Sequence, residues 1–142
     1  MNYLFDAHTH IQFPIYDHDR DATIHRARRA GVKMIAVGTQ LFTSKDAIVL
    51  AEKYPDQIWA TVGYHPNHLS EEWHHDHKEQ TEAAPEKFDA AEFKKLARHP
   101  KVVAIGECGL DYYRLSSDKG KATNEKEKQK EECKTDEENC LD

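Results

Sequence analysis

Four short apolar runs separated by stretches of helical pattern constrain this chain more than any other feature of its 142 residues. Residues 3–10, 33–37, 58–62 and 102–107 read as strands. Between the first two, residues 19–30 have a helical pattern, and Gly31 supplies a natural stop. A second helix is predicted to run to about Lys53 from a cap at Thr43 or Ser44, with Ala47, Val49, Leu50 and Ala51 on its buried side. Residues 88–98 make a third. Strands that are β-branched and almost unbroken in apolar character suit a parallel sheet buried on both faces. The expected fold class is therefore α/β, either a barrel or an open doubly wound sheet, and periodicity alone does not choose between them.

Two stretches stand outside this alternation. Residues 69–86 are polar and rich in His and Glu, and are expected to form an exposed insertion. From Asp118 onward the apolar residues are Ala122, Cys133, Cys140 and Leu141, too few to offset the entropy of ordering, so 118–142 is expected to be a disordered charged tail. A net charge of −6 argues against a protein that coats nucleic acid with a broad basic face. It leaves room for an enzyme that grips a few phosphates through bound metal ions, whose charge the count omits. No apolar run approaches the length needed to span a bilayer, and residues 1–6 lack the basic and then apolar sections of a secretory signal. A cytoplasmic location without membrane contact is the expectation. Cys108, Cys133 and Cys140 are an odd number without zinc-type spacing and are expected to be free thiols.

Chemistry concentrates at strand ends. Asp6-Ala7-His8-Thr9-His10 closes the first strand, and side chains two apart on a strand point to one face. His8 and His10 would then aim two imidazoles at one point, a pair suited to zinc, manganese or iron, or else be hydrogen-bonded histidines at a strand edge. Asp6, on the same face by simple alternation, is read either as holding a ligand imidazole by its other nitrogen or as bonded to backbone. Glu107 follows the fourth strand within Gly106-Glu107-Cys108-Gly109-Leu110-Asp111, and a carboxylate there is costly to bury unless paired or bound to a cation. His65, in Gly63-Tyr64-His65-Pro66, directly follows the third strand and is read as contacting a phosphate, binding metal or capping a turn. The role of Asp111 is equally open. His68, His74, His75 and His77 are assigned to the polar insertion, with adventitious metal binding at most, and His18, His25 and His99 to the surface.

In order, FDAHTH, VGYHP and AIGECGLDYYR resemble the motifs of the TatD-related DNases, a branch of the amidohydrolase-like metal hydrolases, over residues 3–115. The resemblance implies a partial TIM-type (β/α) barrel, with residues 1–117 as its N-terminal part. It also implies hydrolysis of phosphodiester bonds in DNA, often as a 3′-exonuclease, with two divalent cations (Zn, Mg or Mn) in a complete family site. By position, His8 and His10 resemble the ligands of one metal, Glu107 the carboxylate that bridges both, and His65 the histidine beside the substrate phosphate. Two metals about 3.5–4 Å apart would clamp that phosphate and generate hydroxide between them.

The departures from the family pattern are as informative. A complete barrel needs about 250 residues and eight strands, whereas four strands are read here. Two further histidines and an aspartate that complete the family's ligand set have no counterpart. Residues 127–131 resemble the start of the next family helix, but 132–142 are charged and unlike its continuation. The expectation is a truncated or frame-altered product, a gene fragment, or a piece whose remainder is a separate chain. Such a piece is expected to bind at most one metal weakly, to cleave DNA little or not at all, and to self-associate or pair with a missing C-terminal half through its open edges. The alternatives are a catalytically inactive barrel fragment serving as an assembly or binding module, and a related C–N or phosphotriester hydrolase, against which Gly-Glu-x-Gly-Leu-Asp argues.

Overall fold

The computed structural model describes residues 3–69, 76–81 and 86–110. One parallel sheet has the strand order β1 (Leu4–Thr9), β2 (Val32–Val37), β3 (Ile58–Val62), β4 (Val102–Ile105). The helices α1 (Arg20–Arg29), α2 (Leu41–Lys53) and α3 (Ala90–Leu96) fill the three connections. A doubly wound sheet reverses its strand order at a switch point, whereas here each strand lies beside its predecessor. The barrel alternative is the one observed, and the fold is α/β with the architecture of a partial TIM-type barrel. No described helix is long and apolar enough to cross a membrane. Residues 111–142, on which the tail and Asp111 readings fall, lie outside the described residues.

Register explains where the core sits. Met34 pairs with Ile58 and Ala36 with Ala60, so these side chains share one face. They pack with Val62 against Ile24 of α1, Ala47, Ile48, Leu50 and Ala51 of α2, and Phe93 of α3. Each of the larger side chains buried in this way stabilises the fold by about 1.5–3 kcal/mol. The opposite face carries Phe5, Lys33 and Trp59, none of which belongs to the buried core. There the Lys33 ammonium lies 4.4 Å from the centre of the Tyr3 ring and 5.3 Å from that of Trp59. Tyr3 just before β1, Leu4 and Phe5 on it, and Val103 and Ile105 on β4 are all more than half exposed. Burial of both faces, expected from the apolar strands, therefore fails at the two edge strands.

Helix ends follow local chemistry that the apolar pattern does not show. α1 stops where Gly31 takes a φ of 72°. α2 begins before the expected cap: Gln40 is the N-cap and Thr43 the third helical residue, whose hydroxyl accepts the backbone N–H of Gln40 at 3.0 Å. This bond satisfies one of the N–H groups that a helix start leaves unpaired. Val49 is 62% exposed, because two residues beyond buried Ala47 the helix has turned to its far side. α3 is shorter than the predicted 88–98, since Asp89 caps it by accepting from the backbone N–H of Ala91 and Glu92, while Phe88 stacks on Phe93 across the cap.

The ends of β3 and β4 approach so closely that only glycine fits at position 63: a Cβ there would lie 1.7 Å from the carbonyl oxygen of Gly106. Because the obstacle is backbone, a Gly63→Ala variant is expected to lose about 2–3 kcal/mol of stability, the upper range for overpacking. Urea unfolding of the variant against wild type measures this, and an unchanged midpoint would contradict the described approach of the strands.

Candidate functional site

Simple alternation does not place the two histidines at the end of β1. Asp6 pairs with Met34 and Thr9 with Ala36, so three residues of β1 advance against two of β2, which is a bulge. Asp6 is thereby left on the register of the helix-covered face, and His8 and His10 flank Thr9 and turn the other way. The Asp6 carboxylate accepts the backbone N–H of His8 at 3.2 Å. Of the two readings of Asp6 the backbone one is observed, and the shared face with His8 is corrected by the bulge.

His8 and His10 converge, Nε2 to Nε2, at 3.3 Å. Nδ1 of His10 lies 2.9 Å from the Val37 carbonyl oxygen, which can only accept, so the ring proton sits on Nδ1 and Nε2 carries a free lone pair. Phe13 stacks on this ring at 4.5 Å between centres. From the far edge of the sheet Glu107 completes the cluster: its Oε1 is 2.7 Å from His8 Nε2 and 3.7 Å from His10 Nε2. Glu107 takes a left-handed φ of 50°, a conformation costing roughly 1–2 kcal/mol for a residue with a side chain. Its side chain is only 13% exposed, whereas that of His8 is 62% exposed. One ligand atom from each of the three residues lies within 4.8 Å of the others.

His65 enters from the loop after β3, with Nε2 3.7 Å from Glu107 Oε2. Its Nδ1 lies 3.1 Å from the backbone N–H of Asn67, which can only donate. The proton is therefore on Nε2, and His65 offers a hydrogen-bond donor where His10 offers a lone pair. The four singled-out residues His8, His10, His65 and Glu107 thus meet at the C-terminal ends of β1, β3 and β4, the end where β/α barrels carry their sites.

What the sequence reading missed lies in the polar stretch after β3. The described part of that stretch is not simply exposed. Glu86 accepts the backbone N–H groups of Leu41 and Phe42, at 2.7 and 3.0 Å, and so caps the start of α2, and its carbonyl accepts the Tyr64 hydroxyl at 2.6 Å. Glu79 accepts the Thr39 hydroxyl and lies 3.3 Å from His68 Nε2. The His68 side chain is 4% exposed, which corrects its assignment to a solvated insertion. The signal available was spacing, since His68 lies three residues beyond His65 and shares one tight turn with it. His18, His25 and His77 are exposed as expected, His99 is half-buried against Glu52 at 3.2 Å, and His74 and His75 lie outside the described residues. Cys108 is a free, exposed thiol, and Cys133 and Cys140 lie outside the described residues.

A sheet of this topology with histidines and a carboxylate gathered at its C-terminal rim defines a β/α-barrel type of chain with a candidate cation site. Comparison with known proteins narrows the class: the family model described as TatD related DNase matches residues 5–134, and the chain belongs to that family. It is 40% identical over 116 residues to the 3′-5′ ssDNA/RNA exonuclease TatD of Erwinia tasmaniensis, covering 81% of this chain and 40% of the relative. Identity to the proteins of the same name from Musicola paradisiaca and Cronobacter turicensis is 43% and 41% over 112 residues, covering 78% of this chain and 38% and 37% of theirs. The chain spans about two fifths of the length of these relatives.

Burial opposes ionisation of Glu79, but hydrogen bonds from His68 and Thr39 outweigh it and hold the carboxyl below the usual glutamate range. A carboxyl depressed on folding stabilises fully above its unfolded value of about 4.3 and loses that contribution as pH falls through the folded value. The difference in melting temperature between wild type and Glu79→Gln is therefore expected to be largest near neutrality and to narrow below about pH 4.3. Melting curves across that range test it, and a difference independent of pH would contradict the pairing.

Proposed function

We propose that this chain supplies a His8–His10–Glu107 cation site and a phosphate-facing His65 to a TatD-type phosphodiesterase acting on DNA. The relatives named for single-stranded DNA and RNA favour an unpaired strand as the form bound. The donor set suits a divalent ion such as Zn²⁺, Mn²⁺ or Mg²⁺. Donors about 2.0–2.1 Å from a tetrahedral zinc lie roughly 3.3 Å apart. His8 and His10 stand at that spacing, and Glu107, at 3.7 Å from His10 and 2.7 Å from His8, brackets it. Bound there, the cation supplies Lewis acidity to a phosphate oxygen and lowers the pKa of a bound water.

The residues themselves do the placing. The Val37 carbonyl keeps the Nε2 lone pair of His10 directed at the cluster, and His65 donates its Nε2–H to a non-bridging phosphate oxygen, where it would stabilise developing charge. The opposite tautomers of His10 and His65 carry this reading: one ring can ligate and the other can only donate. In it residues 1–117 are the barrel part, 69–86 an insertion within it and 118–142 a separate charged segment, in a cytoplasmic protein. With three candidate ligands among the described residues, one cation is held weakly and cleavage by the chain alone is weak or absent. A second reading, pairing with another copy or with a chain carrying the remaining strands, is favoured by the exposed apolar residues of β1 and β4.

Equilibrium dialysis with Mn²⁺ or Zn²⁺ is expected to show about one ion per chain for wild type and a loss of binding in the His8→Ala/His10→Ala double variant. Equal metal content in the two would remove the cation site. On a labelled single-stranded oligonucleotide with the same ions, little cleavage is expected. Efficient cleavage abolished by Glu107→Ala would overturn the expectation of weak activity and retain the site.

A further inference from the structure

Four residues at the rim of the site form a closed ring of contacts that the cation cluster does not use. The carbonyl of Thr39, after β2, accepts the backbone N–H of His65 at 2.7 Å, and the Thr39 hydroxyl donates to Glu79. Glu79 Oε1 in turn lies 3.3 Å from His68 Nε2, and the His68 backbone N–H returns to the carbonyl of His65 at 3.0 Å. Thr39 and the His68 side chain are buried, and the Glu79 side chain is nearly so. Polar groups withdrawn from water are costly to leave unpaired, so such a ring has few alternative arrangements.

Inside it sits the turn Pro66–Leu69, which decides what His65 presents. The N–H of Asn67 reaches His65 Nδ1 only while the chain turns at Pro66, and that contact keeps the imidazole proton on Nε2, facing Glu107. The His65 and His68 rings stand edge to face, with centres 6.4 Å apart, so displacing His68 opens space beside His65.

We propose that Glu79, reaching in from the polar stretch after β3, is a positioning residue for His65: by tying His68 to Thr39 it holds the turn that makes His65 a fixed Nε2–H donor. The substrate it serves is an anionic phosphate oxygen, and in this the proposal rests on the reading of His65 given above. Glu79 touches neither substrate nor cation. Its effect is transmitted through the turn.

The test uses the full chain and reads ring ¹⁵N shifts of His65 together with amide exchange of Asn67. Wild type is expected to show widely separated Nδ1 and Nε2 shifts and a protected Asn67 amide. In Glu79→Ala the two ring shifts are expected to move toward each other and Asn67 to exchange roughly tenfold faster, the worth of one or two hydrogen bonds. Glu79→Asp keeps the charge but is one methylene too short to reach both partners, and the same change is expected there, which decides the matter should the alanine variant not fold. A variant with lowered melting temperature but unaltered His65 shifts and Asn67 exchange would show a merely structural role and overturn the proposal. Titration of wild type with inorganic phosphate separates the two claims. Failure of phosphate to shift the His65 ring would remove its substrate role, while the tie through Glu79 still stands or falls on the variant spectra.

Discussion

The contact between His8 and Glu107 sets the terms for the rest of the structure, because its partners ride on opposite edges of the sheet. Neighbouring strands are about 4.7–4.9 Å apart, so β1 and β4 would be separated by roughly 14 Å if the sheet were flat. Side chains meeting at 2.7 Å across that gap require the sheet to curl toward its uncovered face and both groups to lean inward. The bulge in β1 turns His8 inward, and the left-handed backbone of Glu107 does the same from the other side. Gly63 allows β4 to close on β3 by the amount the curl demands. Curvature, bulge and backbone strain are thus three expressions of one requirement.

Within the cluster, proton placement divides the labour. Two imidazoles become different reagents because a carbonyl oxygen faces Nδ1 of one and an amide N–H faces Nδ1 of the other. Neither arrangement depends on long-range electrostatics. Both are set by backbone groups, one at the end of β2 and one in the Pro66–Leu69 turn after β3, so the chemistry of the rim follows from how the chain leaves those strands.

Much of this was legible in the residues. The strand runs gave the sheet, and His8, His10, His65 and Glu107 were each marked by ending or following a strand. Strand order, which separates a barrel from a doubly wound sheet, depends on packing and has no local signature. The bulge was hidden because alternation assumes an unbroken register, and Asp6 was misplaced with it. Phe88-Asp89-Ala90-Ala91-Glu92-Phe93 did carry a readable signature, a cap with an apolar residue on either side, which fixes the start of α3 two residues later than the apolar pattern suggests. Glu79 and Glu86 were not legible at all: in a stretch dense with acidic residues, nothing local marks these two as turning inward.

Glu86 also bears on where an incoming anion can settle. The start of an α-helix is a natural seat for a phosphate, since its free N–H groups and partial positive charge point outward together. At the head of α2 that seat is already filled by a carboxylate of the same chain, bound through two backbone N–H groups. A competing berth on the α2 side of the rim is thereby closed, and in the proposed reading an anion drawn to this end of the sheet meets His65 in the loop after β3. The fold narrows its choice of landing site by occupying the decoy itself.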